Sequence, residues 1–122
     1  MPIVDVTMVV RRDEKVTAGL TQTLADAVGR VLDSPPGQTW VRLHLLAEER
    51  YAENASSLSA TDLPVFAVVL TRQPPDHSQL PGTIAGLTRI ISEVTGRPQD
   101  RVHIEYAPGA AGRVAFGGKL VG

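Results

Sequence analysis

The sequence predicts an α/β fold in which two β-α-β units build one four-stranded mixed sheet with two helices on one face. The order strand, helix, strand occurs twice along the 122 residues, with a repeat period of about sixty residues. Each helical segment is long enough to cross over the sheet, so the two strands within a unit should be parallel. The length fits one domain, 1–122, whose repeat halves are expected at about 2–62 and 63–122.

The first half begins with a segment rich in β-branched residues, which favours a strand, followed by apolar positions at helical spacing. Asp13 is the expected helix cap, and the Pro-Pro-Gly turn at 35–37 should end the helix because proline removes a backbone donor. The next strand alternates apolar residues with Trp40, Arg42 and His44. The strand, helix, strand and polar connection are expected at Ile3–Val10, Lys15–Leu32, Thr39–Leu46 and Ala47–Ser59.

The second half repeats this order and then adds a short hairpin around the Gly-Gly pair at 117–118. Its Pro64 stands where Pro2 would be repeated, but the nitrogen of Pro64 is an amide inside the chain and cannot act as a base. Gly96 and Pro98 should stop the second helix. The strand, helical stripe, strand and hairpin are expected at Leu63–Arg72, Leu80–Val94, Arg101–Tyr106 and Val114–Val121.

Composition narrows the functional class. A formal net charge of -1 with interspersed charges argues against a dedicated nucleic-acid or membrane-surface protein. The lack of cysteine excludes disulfides, thiolate metal ligands and cysteine nucleophiles. No apolar run approaches the ~20 residues of a membrane-spanning helix, so a cytoplasmic protein is expected. The small core favours oligomerisation, and the sheet face without helices is expected to be buried against other subunits.

Pro2 is the candidate catalytic residue. Initiator methionine is normally removed before a residue as small as proline, and its removal would leave a secondary amine at the N-terminus. A free α-amino group titrates near ~7.7–8.0, and an apolar pocket or a nearby cation lowers that pKa. Pro2 would then serve as a general base near neutral pH. The alternative is an inert strand end, since proline at this position usually influences only N-terminal processing.

The combination of Pro2, the duplicated unit, Arg12, Arg42 and the Gly-Gly hairpin resembles the tautomerase superfamily. The similarity is to its 4-oxalocrotonate tautomerase-like and macrophage migration inhibitory factor-like members, and it covers nearly all of the chain except about 47–62. This resemblance implies a homotrimer with three sites at subunit boundaries, and a reaction that needs no metal and no cofactor. It also implies proton transfer on a small carboxylic acid, with the amino-terminal proline as the base.

The resemblance gives candidate roles to further residues. Arg12 and Arg42 match the two arginines of the family, and a guanidinium binds a carboxylate through two parallel hydrogen bonds. Arg72 is a second candidate clamp for a carboxylate. His103 and Glu105 share one face of a strand, and in the cytokine-like members those positions face the proline of a neighbouring subunit. The candidate pocket walls are Tyr51, Arg113 and Phe116.

Each of these roles has a structural alternative. Arg42 could form a salt bridge with an aspartate or glutamate at a subunit contact, and His103 could bond Glu105 at an interface. The expected function is a tautomerase that catalyses keto-enol proton transfer on a small unsaturated 2-oxo or enol carboxylic acid. One alternative is a hydratase, dehalogenase or decarboxylase that uses protonated Pro2 as an acid; activation of water would then need Glu53 or Glu105. Another is a trimeric binding protein without turnover.

Overall fold

Residues 2–57 and 63–122 are described by a computed structural model, which contains a four-stranded mixed sheet, two α-helices and a two-stranded hairpin. The fold class predicted from the sequence is confirmed. The elements are β1 (Ile3–Val10), α1 (Leu20–Val31), β2 (Trp40–Ala47), β3 (Val65–Leu70), α2 (Leu80–Thr95), β4 (Val102–Tyr106), and the hairpin strands β5 (Ala115–Phe116) and β6 (Lys119–Leu120).

The strand order is β2-β1-β3-β4, with both pairs within a half parallel and the central pair β1 and β3 antiparallel. In each half the first residues of the two parallel strands lie opposite each other, Ile3 with Trp40 and Val65 with Val102. The two halves therefore pair their strands in the same register. Because β1 and β3 run in opposite directions, the start of β1 lies beside the end of β3. This topology brings the residue before β1 next to the residues that follow β3.

The core lies between one face of the sheet and the two helices. Alternate residues of β1 and β3 are fully buried there, as the period of two in a strand requires. Burial of each such side chain stabilises the fold by about 1.5–3 kcal/mol relative to exposure. The buried residues of the sheet and helices include Val4, Val6, Val65, Val69, Leu24, Val28, Leu87 and Ile91.

Helix α1 begins at Leu20, so the expected start at Lys15 and the expected cap at Asp13 are wrong. The residue before the helix is Gly19, whose φ of 82° is left-handed and which supplies no side-chain cap. The backbone N–H of Leu20 donates to the carbonyl of Thr17 at 3.1 Å, so the preceding residues form a turn. Only glycine takes this conformation without steric cost, and this fixes the helix start.

The remaining boundaries differ by small amounts. β3 is shorter than expected, and β4 begins only at Val102 because Gln99–Arg101 forms a 3-10 turn. The expected connection at 47–59 contains the 3-10 turn Glu48–Arg50, while its residues 58 and 59 lie outside the described residues. Arg11 and Arg12 follow the end of β1 and line one cavity together.

The sheet face turned away from the helices is uncovered in the single chain. We call it the bare sheet face, and its residues are Asp5, Trp40, Arg42, His44, Phe66, Val68, His103 and Glu105. It exposes large hydrophobic side chains, with Trp40 41% and Phe66 37% accessible. Surfaces of this kind on a small domain mark interaction sites. In the part of the chain that the structure describes, neither helix is long and apolar enough to cross a membrane.

Candidate active site

Pro2 lies immediately before β1 and is buried. Its carbonyl accepts a hydrogen bond from the backbone N–H of Trp40 at 2.9 Å, which fixes the start of β1 against β2. On the other side Ile3 pairs with Leu70, the last residue of β3. The antiparallel register therefore places Pro2 beside the segment that starts at Thr71.

Pro2 lines a cavity of about 570 Å³, within the size range of pockets that bind small ligands. The cavity opens between the end of α1, the start of α2 and the ends of β3 and β4. Most of the lining side chains can form hydrogen bonds, while Val31, Leu32 and Pro75 provide apolar surface. The polar lining residues are Asp33, Thr71, Arg72, Gln73, Gln79, Thr83 and Tyr106.

Arg72 is the one predicted carboxylate-binding residue that shares this cavity with Pro2. Its Nε–H donates to the carbonyl of Gly122, which ties the C-terminal segment to the side chain. Among the described residues this is the only hydrogen bond of the Arg72 side chain. A guanidinium carries five N–H donors, so four remain for an anion in the cavity.

Among the lining residues that the sequence reasoning missed, two have ionisable side chains. Tyr106 is the last residue of β4, and strand alternation places it on the opposite face from Glu105. Asp33 follows the end of α1 and has a left-handed backbone, with φ of 52°. The alternation of β4 could have pointed to Tyr106, because its side chain had to face the helix side. For Asp33 the sequence showed only that this residue lies where the first helix was expected to end.

Arg42 lies on the bare sheet face and forms an ion pair with Asp5. Its Nε and Nη2 atoms donate to the two carboxylate oxygens at 2.6 and 2.8 Å, and His44 Nε2 lies 3.7 Å from Asp5 Oδ1. The hydrogen bond from Arg42 is the main cause that holds the pKa of Asp5 below its usual range. Within one chain Arg42 is therefore engaged by a carboxylate and does not line the Pro2 cavity.

Arg12 lies at the other end of β1, roughly 30 Å from Pro2 by the rise of an extended strand. It lines a cavity of about 410 Å³ together with Arg11, Glu14 and Glu48, and its Nη2 lies 3.8 Å from Glu49. A single chain thus does not bring Arg12 to Pro2. Arg12 could meet a Pro2 only if that residue belonged to another subunit.

His103 belongs to a cluster at the start of β4, far from the Pro2 of the same chain. The ring of Phe66 lies 5.1 Å from His103 and 5.9 Å from Tyr51. Tyr51 Oη donates to Glu53 at 2.7 Å, and Arg101 also bonds this carboxylate. Both hydrogen bonds lower the pKa of Glu53, and the bond from Tyr51 has the larger effect. Glu105 is exposed on the bare sheet face.

The remaining predicted wall residues lie near the hairpin. Phe116 stacks on Trp40 with ring centroids 5.0 Å apart, beside a cavity of about 820 Å³ that Ile3 and Arg42 also line. Arg113 donates two hydrogen bonds to the carbonyl of Gly109, at 2.9 and 3.3 Å. Neither residue lines the Pro2 cavity. Across residues 2–57 and 63–122 there is no group of three histidine, aspartate or glutamate side chains that could hold a metal ion.

No protein-family model matches the sequence, and no curated protein is similar to it. Solved structures do match its fold. The structure of Pt0534 inactivated by 2-oxo-3-pentynoate has a TM-score of 0.74 and 22% identity, and the match covers 97% of this chain and 95% of that chain. Macrophage migration inhibitory factor from Oncomelania hupensis has a TM-score of 0.76 and 18% identity, covering 100% and 83%.

A third match, the symmetric trimer of the fused 4-OT called Q0, has a TM-score of 0.77 and 14% identity, covering 98% of this chain and 94% of that chain. These identities are low, so the comparisons establish the fold. The chain has the fold of the tautomerase superfamily, and the resemblance drawn from the sequence is confirmed at that level.

Proposed function

We propose that this chain is a tautomerase that moves a proton between carbon and oxygen positions of a small 2-oxo or enol carboxylic acid. The observation that carries the proposal is the burial of Pro2 in a cavity that Arg72 also lines. While Met1 is attached, the nitrogen of Pro2 is an amide without basicity. Removal of Met1 creates the secondary amine that the reaction requires.

In this mechanism the amine of Pro2 takes a proton from an enol hydroxyl or from a carbon next to a carbonyl. The protonated amine then returns the proton at another position of the conjugated system. Arg72 binds the substrate carboxylate through its unoccupied N–H groups. Tyr106 lines the same cavity and supplies a phenol that donates a hydrogen bond to the oxygen on which negative charge develops. Burial of Pro2 disfavours the protonated form of its free amine, which keeps the amine available as a base.

We further propose a homotrimer in which the bare sheet face is buried between subunits. The fused 4-OT structures Q0 and F6 are both described as trimers. In this chain Phe66 and Val68 expose apolar surface that such an assembly would bury. In such a trimer the predicted site residues Arg42, His103 and Glu105 lie at subunit contacts. They could then complete the Pro2 site of a neighbouring subunit.

Proton transfer is favoured over hydration because one chain supplies every group that it needs at the Pro2 cavity, whereas a water-activating Glu105 would have to come from a neighbouring subunit. Glu53 is held by Tyr51 and Arg101, and Glu105 lies on the bare sheet face. Neither lines the Pro2 cavity of its own chain. A tautomerase needs only the base, a carboxylate clamp and a donor to the developing oxyanion, and one chain supplies all three.

The test compares protein with and without Met1, as identified by intact mass, on the ketonisation of phenylenolpyruvate. The processed protein should be active without metal or cofactor, and its rate should fall at acidic pH as Pro2 becomes protonated. Pro2→Ala should keep the fold but lose most of the rate. Equal rates with and without Met1 would exclude Pro2 as the base and favour the binding-protein alternative.

A second measurement detects the amine without requiring turnover. The acetylenic acid 2-oxo-3-pentynoate, named as the inactivator of Pt0534, is an electrophile. If the free Pro2 amine adds to its triple bond, a nitrogen–carbon bond forms and the amine proton moves to the neighbouring carbon. The chain mass should then rise by one reagent molecule in processed protein only. Labelling of protein that retains Met1 would show that another group reacts.

A further inference from the structure

Asp33 carries an unusual backbone in the Pro2 cavity. Its φ of 52° is left-handed, a conformation that aspartate and asparagine adopt more readily than other residues with a Cβ but that is easiest for glycine. At the end of α2 the corresponding left-handed stop is Gly96, with φ of 75°, a residue without a Cβ. The two halves of the chain thus end their helices differently. The first half, whose helix end lines the Pro2 cavity, has a carboxylate at the position where glycine would be conformationally easier.

The carboxylate of Asp33 has no hydrogen-bond or ion-pair partner among the described residues. Its side chain is exposed at the cavity lining, so it can accept hydrogen bonds from a bound molecule. Arg72 lines the same cavity from a different element. The cavity therefore has one cationic and one anionic group, and an acid that enters it should place its carboxylate at Arg72 and away from Asp33.

The neutral lining residues agree with a polar occupant. Gln73 and Gln79 provide amides, Thr71 and Thr83 provide hydroxyls, and Tyr106 provides a phenol. A cavity for an aromatic or aliphatic enol acid would be lined predominantly by apolar side chains. Here polar and apolar surface contribute about equally to the lining, so a plain hydrocarbon tail would leave several polar groups unpaired on binding.

We infer that Asp33 makes the Pro2 cavity selective for hydroxylated 2-oxo or enol acids. Arg72 binds the carboxylate of the substrate, Pro2 faces the carbon or oxygen that exchanges its proton, and the Asp33 carboxylate accepts a hydrogen bond from a hydroxyl farther along the molecule. This inference rests on the proposed tautomerase function and names the substrate class of that same site.

The test uses pairs of 2-oxo acids of four to six carbons, each with and without a terminal hydroxyl. Exchange of the C3 hydrogens in deuterated water, followed by proton NMR, reports proton transfer. In the processed wild-type protein the best hydroxylated member should exceed its partner in kcat/KM by about tenfold. Asp33→Asn keeps a side chain that tolerates the left-handed region, and should reduce that ratio only in part, because its amide oxygen is an uncharged and weaker acceptor. Asp100→Asn, an exposed matched control, should leave the ratio unchanged.

Asp33→Gly separates a binding role from a structural one. It should raise the melting temperature, because glycine adopts the left-handed backbone more easily, and yet bring the ratio to about one, because no acceptor remains. A ratio near one in the wild type, or a ratio kept in both Asp33 variants, would overturn the inference. Calorimetric binding of the same acid pairs reports selectivity without turnover. Failure of proton transfer, which concerns the proposed function, is therefore distinguished from failure of selectivity.

Discussion

Arg42 and Asp5 face each other across β1 and β2, where the guanidinium holds the carboxylate through two hydrogen bonds of 2.6 and 2.8 Å. The sequence alone left Arg42 with two roles, a clamp for substrate carboxylate or one side of a salt bridge. Within one chain the salt bridge is formed, and its partner is on the neighbouring strand. A substrate carboxylate at Arg42 would have to displace Asp5, and this makes Arg72 the better candidate clamp.

The Asp5–Arg42 pair should make stability depend on pH. Asp5 has its pKa lowered in the folded protein, so its stabilising contribution is present above the unfolded pKa, near ~3.9, and is lost as pH falls through the folded value. Asp5→Asn should therefore lower the melting temperature at neutral pH and make little difference at strongly acidic pH. Thermal unfolding at several pH values measures this. If Asp5→Asn lowered the melting temperature equally at every pH, the loss could not be attributed to the charge of Asp5.

The ion pair between Glu14 and Arg97 is better shielded and should matter more. Both side chains are mostly buried, at 16% and 12% exposure, and Arg97 donates two hydrogen bonds to Glu14 and a third to the carbonyl of Val9. Glu14→Gln leaves the buried guanidinium without its counter-charge, and we expect a loss of about 2–4 kcal/mol in unfolding free energy. Urea unfolding measures the loss. Asp100→Asn, which is exposed, serves as the control, and an equal stability of both variants would refute the expectation.

The Glu14–Arg97 pair, like the Asp5–Arg42 pair, should stabilise the fold more at neutral pH than at acidic pH. The hydrogen bonds from Arg97 are the main cause that lowers the pKa of Glu14. The stabilisation is therefore complete above the unfolded glutamate pKa, near ~4.3, and declines as pH falls through the lower folded value. Glu14→Gln and the wild type should converge in stability as the pH becomes strongly acidic.

Local pattern was sufficient to predict most of the fold. The alternation in β2 correctly separated Trp40, Arg42 and His44 from the core, and the two crossover helices predicted parallel pairing within each half. The start of α1 could not be predicted in the same way. Apolar periodicity extended back to Val16, whereas Gly19 starts the helix through a backbone conformation that periodicity does not report.

The candidate site was only partly accessible from the sequence because it depends on register between distant strands. The antiparallel pairing of β1 with β3 places Pro2 beside Arg72, and no local pattern contains that information. The same register places Asp5 opposite Val68 and leaves its carboxylate to Arg42. Resemblance drew attention to Arg12 and Arg42, but in one chain these lie away from the Pro2 cavity.

The trimer predicts that a charge on the bare sheet face will prevent assembly. Val68 is 36% exposed in the single chain and would be buried between subunits, where an unpaired ammonium is costly. Val68→Lys should shift sedimentation from about three chain masses toward one. Ala85→Lys introduces the same charge on the exposed side of α2 and should leave the assembly intact. A Val68→Lys variant that sediments like the wild type would place the subunit contact elsewhere.

Arg72 should control how tightly the carboxylate of a substrate is held. Its guanidinium lines the Pro2 cavity and has N–H groups free of protein partners among the described residues. Hydrogen bonds to charged groups contribute about 1.5–3 kcal/mol, so Arg72→Ala should lower kcat/KM for an enol acid by roughly ten- to a hundredfold. Arg72→Lys keeps the charge without the planar fork and should recover only part of the loss.

The control for this prediction is Arg89→Ala, since Arg89 is exposed on α2 away from the cavity. Arg72→Ala also breaks the contact with Gly122, so its melting temperature must be measured alongside the kinetics. An activity loss at unchanged melting temperature favours the clamp. Unchanged kcat/KM in Arg72→Ala would mean that the carboxylate is held by a neighbouring subunit, and Arg42 would then be the residue to test. Because an arginine stays charged throughout the accessible pH range, the loss should be the same at every pH at which Pro2 is active.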